Sequence, residues 1–122
     1  MAFLQLHTRL GNVTIPSFIL VIALWALLNF ARKQGLSPSY WGALVVGEVL
    51  LAVQGFLGLL IYLQGNRPPR VVHYLYGVFI LLVWPGLFAY TQGQDTRREA
   101  LLYGLVSLFL FGVSLRAIGT GQ

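Results

Sequence analysis

The stretch "PSYWGALVVGEVLLAVQGFLGLLIYL", residues 38–63, decides the class of fold. It contains a single charged side chain, Glu48, among otherwise apolar and weakly polar residues. A helix needs about 20 such residues to cross about 30 Å of hydrocarbon. A backbone in lipid must satisfy its own hydrogen bonds, and the alternating pattern of a barrel strand is absent. The stretch therefore predicts a membrane-spanning helix.

Three more stretches of the same kind surround it, at 14–31, 71–90 and 100–118, and polar connectors of under ten residues separate them. Of the 122 residues, 57% are hydrophobic and 9% are charged, which is far too apolar for a soluble domain. Short connectors make consecutive helices neighbours. We predict an all-α integral membrane protein with one domain, residues 1–122, forming an antiparallel four-transmembrane-helix bundle with both termini on one side.

Residues at the ends of the apolar stretches predict where the helices begin and end. Ser37 is expected to cap the second helix, and Thr96 and Glu99 have the spacing of a capping box at the fourth. Gly35 is predicted to stop the first helix and Gly65 to give the second a left-handed cap. The fold is thus supported by local signals as well as by hydropathy.

The eight basic residues should orient the bundle, because a bias of lysine and arginine in short loops sets topology. The predicted topology divides them equally. Arg9, Arg67, Arg70 and Arg116 lie on the side of the N-terminus, and Arg32, Lys33, Arg97 and Arg98 lie on the other. Orientation therefore stays open. The net charge of +5 is spread over both ends and forms no basic face for nucleic acid, so the expected partners are the lipid bilayer and a larger membrane complex or a second copy.

Missing residue types exclude several chemistries. The chain has no cysteine, which removes disulfides, zinc clusters, iron–sulfur ligation and thiol catalysis. It shows no hydrolytic triad, phosphate loop or paired catalytic carboxylates, and we predict that it is not an enzyme. The expected location is the inner membrane of a prokaryote.

The segment "NRPPRVVHYLYG", residues 66–77, is the main candidate site. It places Arg67 and Arg70 just before His73, and Tyr76 follows one turn later. The free amide groups of the first helical turn favour an anionic group there. We predict that this segment holds a polar group at the membrane boundary.

His7 lies in "FLQLHTRLGN", residues 3–12, which is too short to span and is predicted to form a short interfacial N-terminal segment. Two crossings separate it from His73, so both histidines are expected at one membrane face. Together with Arg67 and Arg70 they would suit either of two cofactors. These are a heme, with two axial imidazoles and arginine partners for its propionates, and a quinone, with a polar site for its head group.

The segments "LLAVQGFLGLLIYL", residues 50–63, and "RVVHYLYGVFILLVW", residues 70–84, resemble two successive helices of one half of heme A synthase. The matching residues are Gln54, Gly55, Gly58 and His73, and the resemblance implies that His73 ligates heme iron and that Gln54 lies near it. That family takes a second histidine from its second helix. The corresponding stretch here, 14–31, contains none, so His7, or His73 of a second copy, would have to complete the pair.

Glu48 lies about one third of the way along the second helix, where a carboxyl group costs a few kcal/mol. We expect it to be neutral unless paired, and to face protein. The nearby small and polar residues Gly47, Gln54, Gly55 and Gly58 are likewise predicted to face another helix.

Two functions follow from these residues. The first is a small membrane subunit of an electron-transport complex, either structural or binding heme b or quinone through His73. The alternative is a small proton-coupled exporter or ion pathway that uses Glu48. The small multidrug resistance exporters have a similar architecture, but they carry their glutamate in the first helix.

Overall fold

A computed structural model describes residues 2–65 and 72–120 of the chain. The helices are α1 (Ala2–Arg9), α2 (Ile15–Ala31), α3 (Pro38–Leu63), α4 (Val72–Thr91) and α5 (Arg97–Thr120), and a π-helical turn (Leu10–Thr14) joins α1 to α2. Four helical runs are long and apolar enough to cross a membrane. They are Leu4–Ala31, Pro38–Leu63, Val72–Thr91 and Arg97–Gly119. The prediction of an all-helical chain with four membrane-length helices is confirmed for the described residues.

The N-terminal segment is not a separate element, and that part of the prediction is wrong. α1 and α2 form one continuous helical run through the π turn, in which the Ile15 N–H bonds the carbonyl of Leu10, five residues earlier. Pro16 gives the physical reason, because it has no N–H and its ring would clash with a carbonyl four residues before it in an α-helix. The wider π turn relieves both problems. α1 then packs against α3.

Three of the predicted helix boundaries are confirmed. Ser37 Oγ accepts a hydrogen bond of 3.2 Å from the Tyr40 N–H at the start of α3. Glu99 Oε1 accepts one of 3.2 Å from the Thr96 N–H at the start of α5. Gly65, after α3, has a φ of +92°, the left-handed conformation expected of a C-terminal cap.

Gly35 does not stop α2, because Lys33 takes the left-handed position with a φ of +60°. Gly35 instead allows two connectors to touch. The Leu36 N–H donates to the Asp95 carbonyl at 2.8 Å, and a Cβ on Gly35 would overlap that carbonyl oxygen. The two connectors are thus held together by backbone contact at this end of the molecule.

Among the described residues, the most extensive contact between two helices is that of α2 with α5. Buried residues recur at alternating steps of three and four along both helices: Ile15, Ile19, Ile22, Ala26 and Asn29 on α2, and Ala100, Tyr103, Ser107, Leu110 and Ser114 on α5. A Cβ on Gly104 would lie 2.6 Å from Leu27 Cδ2 and 3.1 Å from the Leu27 backbone nitrogen. Small residues allow this approach, which is how membrane helices gain van der Waals contact.

Hydrogen bonds between side chains join α4 to α5. Trp84 Nε1 donates to Ser107 Oγ at 3.0 Å, and Thr91 Oγ1 lies 3.1 Å from the Tyr103 hydroxyl. Such bonds contribute about 0.6–2 kcal/mol each between membrane helices. They fix the rotation of α4 relative to α5.

The small and polar residues of α3 that were predicted to face another helix do so only in part. A Cβ on Gly47 would come within 2.7 Å of both Phe18 and Trp84, so Gly47 faces protein as predicted. Gly55 is exposed, and a Cβ added to it would have no atom within 4 Å. The prediction that Gly55 faces another helix is therefore wrong. The reason is that helix rotation turns this glycine toward an open groove.

Candidate functional site

His7 and His73 lie next to each other in the folded chain. The centroids of their rings are 6.4 Å apart, with the planes at 76°. His7 is in the last turn of α1, and His73 is in the first turn of α4. The two imidazoles therefore form a pair at one end of the molecule.

The end of α5 orients His73. Its Nδ1 lies 3.0 Å from the backbone carbonyl oxygen of Ala117. A carbonyl oxygen only accepts hydrogen bonds, so Nδ1 carries the proton and donates it. In a neutral imidazole with this tautomer, Nε2 holds the lone pair, which is the form of histidine that ligates metals or accepts hydrogen bonds.

α3 positions His7 by two features one helical turn apart. Gln54 Nε2 donates a hydrogen bond of 2.8 Å to the His7 carbonyl. Gly58 leaves room for the ring, because a Cβ there would lie 3.3 Å from His7 Cε1. Gly11 similarly leaves room for the Gln54 amide, since its own Cβ would lie 2.8 Å from Nε2. Gln54 and the two glycines thus fix where His7 lies.

Two polar atoms of this site lack partners. His7 Nδ1 and Gln54 Oε1 are both buried, and neither has a hydrogen-bond partner among residues 2–65 and 72–120. A buried polar atom without a partner costs about 1–3 kcal/mol. Both residues line a common groove, and a polar ligand there would offset this cost.

The groove is large enough for a cofactor. Its volume is about 870 Å³, within the range of about 300–1,000 Å³ typical of ligand sites. α1, the π turn, α3, α4 and α5 all contribute to its wall, and the apolar wall residues include Leu4, Phe56, Leu59, Val78 and Leu81. Tyr62 and Tyr74 stack edge to face across it with ring centroids 5.7 Å apart. We call this space the histidine groove.

The predicted site residues are only partly assembled there. His7, His73 and Gln54 line the histidine groove, whereas Tyr76 is half-buried and is not part of its wall. Arg67 and Arg70 lie outside the described residues, so their predicted role stays a prediction.

Glu48 is not in the groove wall. It is half-buried on α3, and one of its carboxyl oxygens is buried without a hydrogen-bond partner in the part of the chain that the structure describes. A smaller polar crevice of about 290 Å³ lies near the turn from α4 to α5, beside Glu99, whose carboxylate already accepts from Thr96.

Sequence reasoning missed two contributors to the site. The Ala117 carbonyl orients His73 through the backbone, and no side-chain pattern indicates that contact. The sequence gives only a weak indication that Gly11 belongs to the site, namely its position four residues after His7, which is the spacing of neighbours on one helical face. In the described part of the chain, no group of three or more His, Cys, Asp or Glu side chains comes together to hold a metal ion.

No protein-family model, curated protein or solved structure matches this chain. The function is therefore inferred from the geometry of the histidine groove.

Proposed function

We propose that the chain is a small integral membrane subunit of an electron-transport complex, in a prokaryotic inner membrane, and that it binds heme b or a quinone in the histidine groove. The observation that carries the proposal is the pair of imidazoles, 6.4 Å apart, beside a groove of about 870 Å³ among four apolar helices. A structural subunit needs no such groove.

The proposal includes an antiparallel bundle with both termini on the side of the histidines. Contacts at opposite ends of the molecule support it. His7, His73 and Ala117 meet at one end, although they lie in the last turn of α1, the first turn of α4 and near the end of α5. Leu36, in the connector after α2, and Asp95, in the connector after α4, meet through a backbone hydrogen bond. Contacts of these two kinds are what a bundle whose successive helices run in opposite directions would produce, and they support the proposal.

The histidine pair fits a heme in two respects. His7 and His73, whose ring centroids are 6.4 Å apart, would be the two residues that hold the iron of one heme. The bond from His73 Nδ1 to the Ala117 carbonyl is of the kind that metal-ligating histidines usually make with their second nitrogen. A heme in this site would supply one-electron transfer. Arg67 and Arg70 remain the predicted partners of its propionates.

The groove fits a quinone through different atoms. Quinone head groups need hydrogen-bonding residues, which His7, His73 and Gln54 offer at one end of the groove. The remaining wall is mostly aliphatic and aromatic, as an isoprenoid tail requires.

The test is the cofactor content of protein purified in lipid nanodiscs. A visible spectrum measures heme, and mass spectrometry of an organic extract measures quinone. We expect one cofactor to be retained by the wild type and lost in His7→Ala and His73→Ala. Gln94→Ala, an exposed change far from the groove, is the control. Wild-type protein that retains neither cofactor, also after addition of hemin or quinone, would refute the proposal.

A second candidate function rests on Glu48. One of its carboxyl oxygens is buried and has no hydrogen-bond partner among the residues that the structure describes, which is the feature expected of a proton-linked group in an exporter or ion pathway. Dye efflux driven by a pH gradient in proteoliposomes tests this. If the wild type pumps and Glu48→Gln does not, although it folds equally well, the exporter function replaces the first proposal.

A further inference from the structure

The orientation of the Gln54 amide restricts what the groove can bind. Amide oxygen and nitrogen are often interchangeable, but here the partner is the His7 carbonyl, which can only accept. Nε2 must therefore point at His7, and Oε1 must be the other atom. Oε1 is buried without a partner in the described residues, and as a carbonyl oxygen it can only accept. The missing partner is a hydrogen-bond donor.

Building on the function proposed above, we infer that the histidine groove prefers the reduced, quinol form of a lipid-soluble quinone. One quinol hydroxyl donates to Gln54 Oε1, and the ring lies beside His7 and His73. The second unpartnered atom, His7 Nδ1, bonds the head group as donor or acceptor according to its tautomer.

Other redox ligands match these atoms less well. An oxidised quinone has only carbonyl acceptors and would place one against Gln54 Oε1, leaving both without a donor. A heme offers carboxylate oxygens at its edge, and these also accept. A quinol has two hydroxyl donors, and each hydroxyl also accepts. Of the three, only the quinol satisfies Gln54 Oε1 and leaves the Gln54–His7 bond intact.

The open side of the groove suits the tail of such a ligand. Phe56, Leu59 and Val78 line the groove and remain 60%, 53% and 57% exposed. In a bilayer these side chains would contact lipid. A tail that leaves the head-group site along them passes directly into the hydrocarbon, and the ligand can enter without crossing water.

A preference for the quinol has a measurable size. One additional net hydrogen bond corresponds to about fivefold to tenfold in affinity. Tighter binding of the reduced form also raises the midpoint potential of the bound couple, by about 30 mV for a tenfold preference in a two-electron couple.

The experiment compares dissociation constants of a short-chain ubiquinol and the matching ubiquinone, measured without oxygen on protein in nanodiscs. We expect the wild type and Gln64→Leu, an exposed control, to bind the quinol about fivefold to tenfold more tightly. In Gln54→Leu the two affinities should become equal. If Gln54 acts only through its bond to His7, Gln54→Leu should weaken the binding of quinol and quinone equally. The ratio of the two dissociation constants would then be the same as in the wild type, and that result would overturn the inference.

A second measurement needs no variant. The dimethyl ether of the quinol has the same ring but no hydroxyl donor, so we expect the wild type to bind it no more tightly than the quinone. Equal affinity of the wild type for the quinol and its dimethyl ether would also overturn the inference. If heme binds and no quinol does, the preference for quinol is wrong and the proposed function stands. If neither binds, both fail.

Discussion

Replacing Gly104 by alanine tests the contact between α2 and α5. The new methyl group would lie 2.6 Å from Leu27 Cδ2 and 3.1 Å from the Leu27 backbone nitrogen. Nonbonded carbon atoms rest at about 3.5–4.0 Å. The tip of Leu27 can rotate away, but its backbone nitrogen moves only if α2 moves. The substitution therefore has to push the two helices apart.

The expected cost follows from two opposing effects. Overpacking of a close contact typically costs about 1–3 kcal/mol. Alanine in place of glycine inside a helix gains about 1 kcal/mol through helix propensity. Gly112→Ala, in the same helix, has the same propensity gain but nothing within 4 Å of the added Cβ. Gly104→Ala should thus be about 1–3 kcal/mol less stable than Gly112→Ala.

Unfolding in mixed micelles, with increasing sodium dodecyl sulfate and circular dichroism as the signal, gives the free energies. The comparison between the two alanine variants cancels propensity and detergent effects. If Gly104→Ala proves as stable as Gly112→Ala, the close approach of α2 and α5 is wrong.

Three further predictions concern other contacts and use the same unfolding assay. Gly35→Ala should destabilise the chain by about 1–3 kcal/mol, because its Cβ would overlap the Asp95 carbonyl, whereas Gly42→Ala, with open space around it, should not. Ser107→Ala should cost about 1–3 kcal/mol by leaving the Trp84 N–H buried without an acceptor, and an unchanged free energy would argue against that bond. Glu99→Leu should cost about 0.5–2 kcal/mol through loss of the capping contact, and Glu99→Gln, which keeps an acceptor, should cost less.

Local signals predicted the elements well. The four membrane-length helices follow from hydropathy alone, and the caps at Ser37, Thr96 and Gly65 follow from side chains within a few residues of each boundary. Gly35 was misassigned because a glycine after a helix has two uses, a left-handed cap and a close approach. Here the second applies, and it involves Asp95, far away in the chain.

The π turn shows how one residue changes a prediction. It holds an extra residue per turn, which rotates α1 by about 100° relative to the face expected from α2. His7 consequently points toward Gly58 and His73. Sequence placed both histidines at one membrane face, but the contact between them depends on this rotation.

Apolar composition and short connectors by themselves determined an all-helical chain with four membrane-length helices. The tertiary structure decided which faces meet: Gly104 against Leu27, Gln54 against His7, and Gly55 toward an open groove. The physical reason is the solvent. In water, an apolar stripe marks the buried face of a helix, but lipid is as apolar as a protein core, so inward and outward faces have the same composition. Only the packing of neighbouring helices distinguishes them.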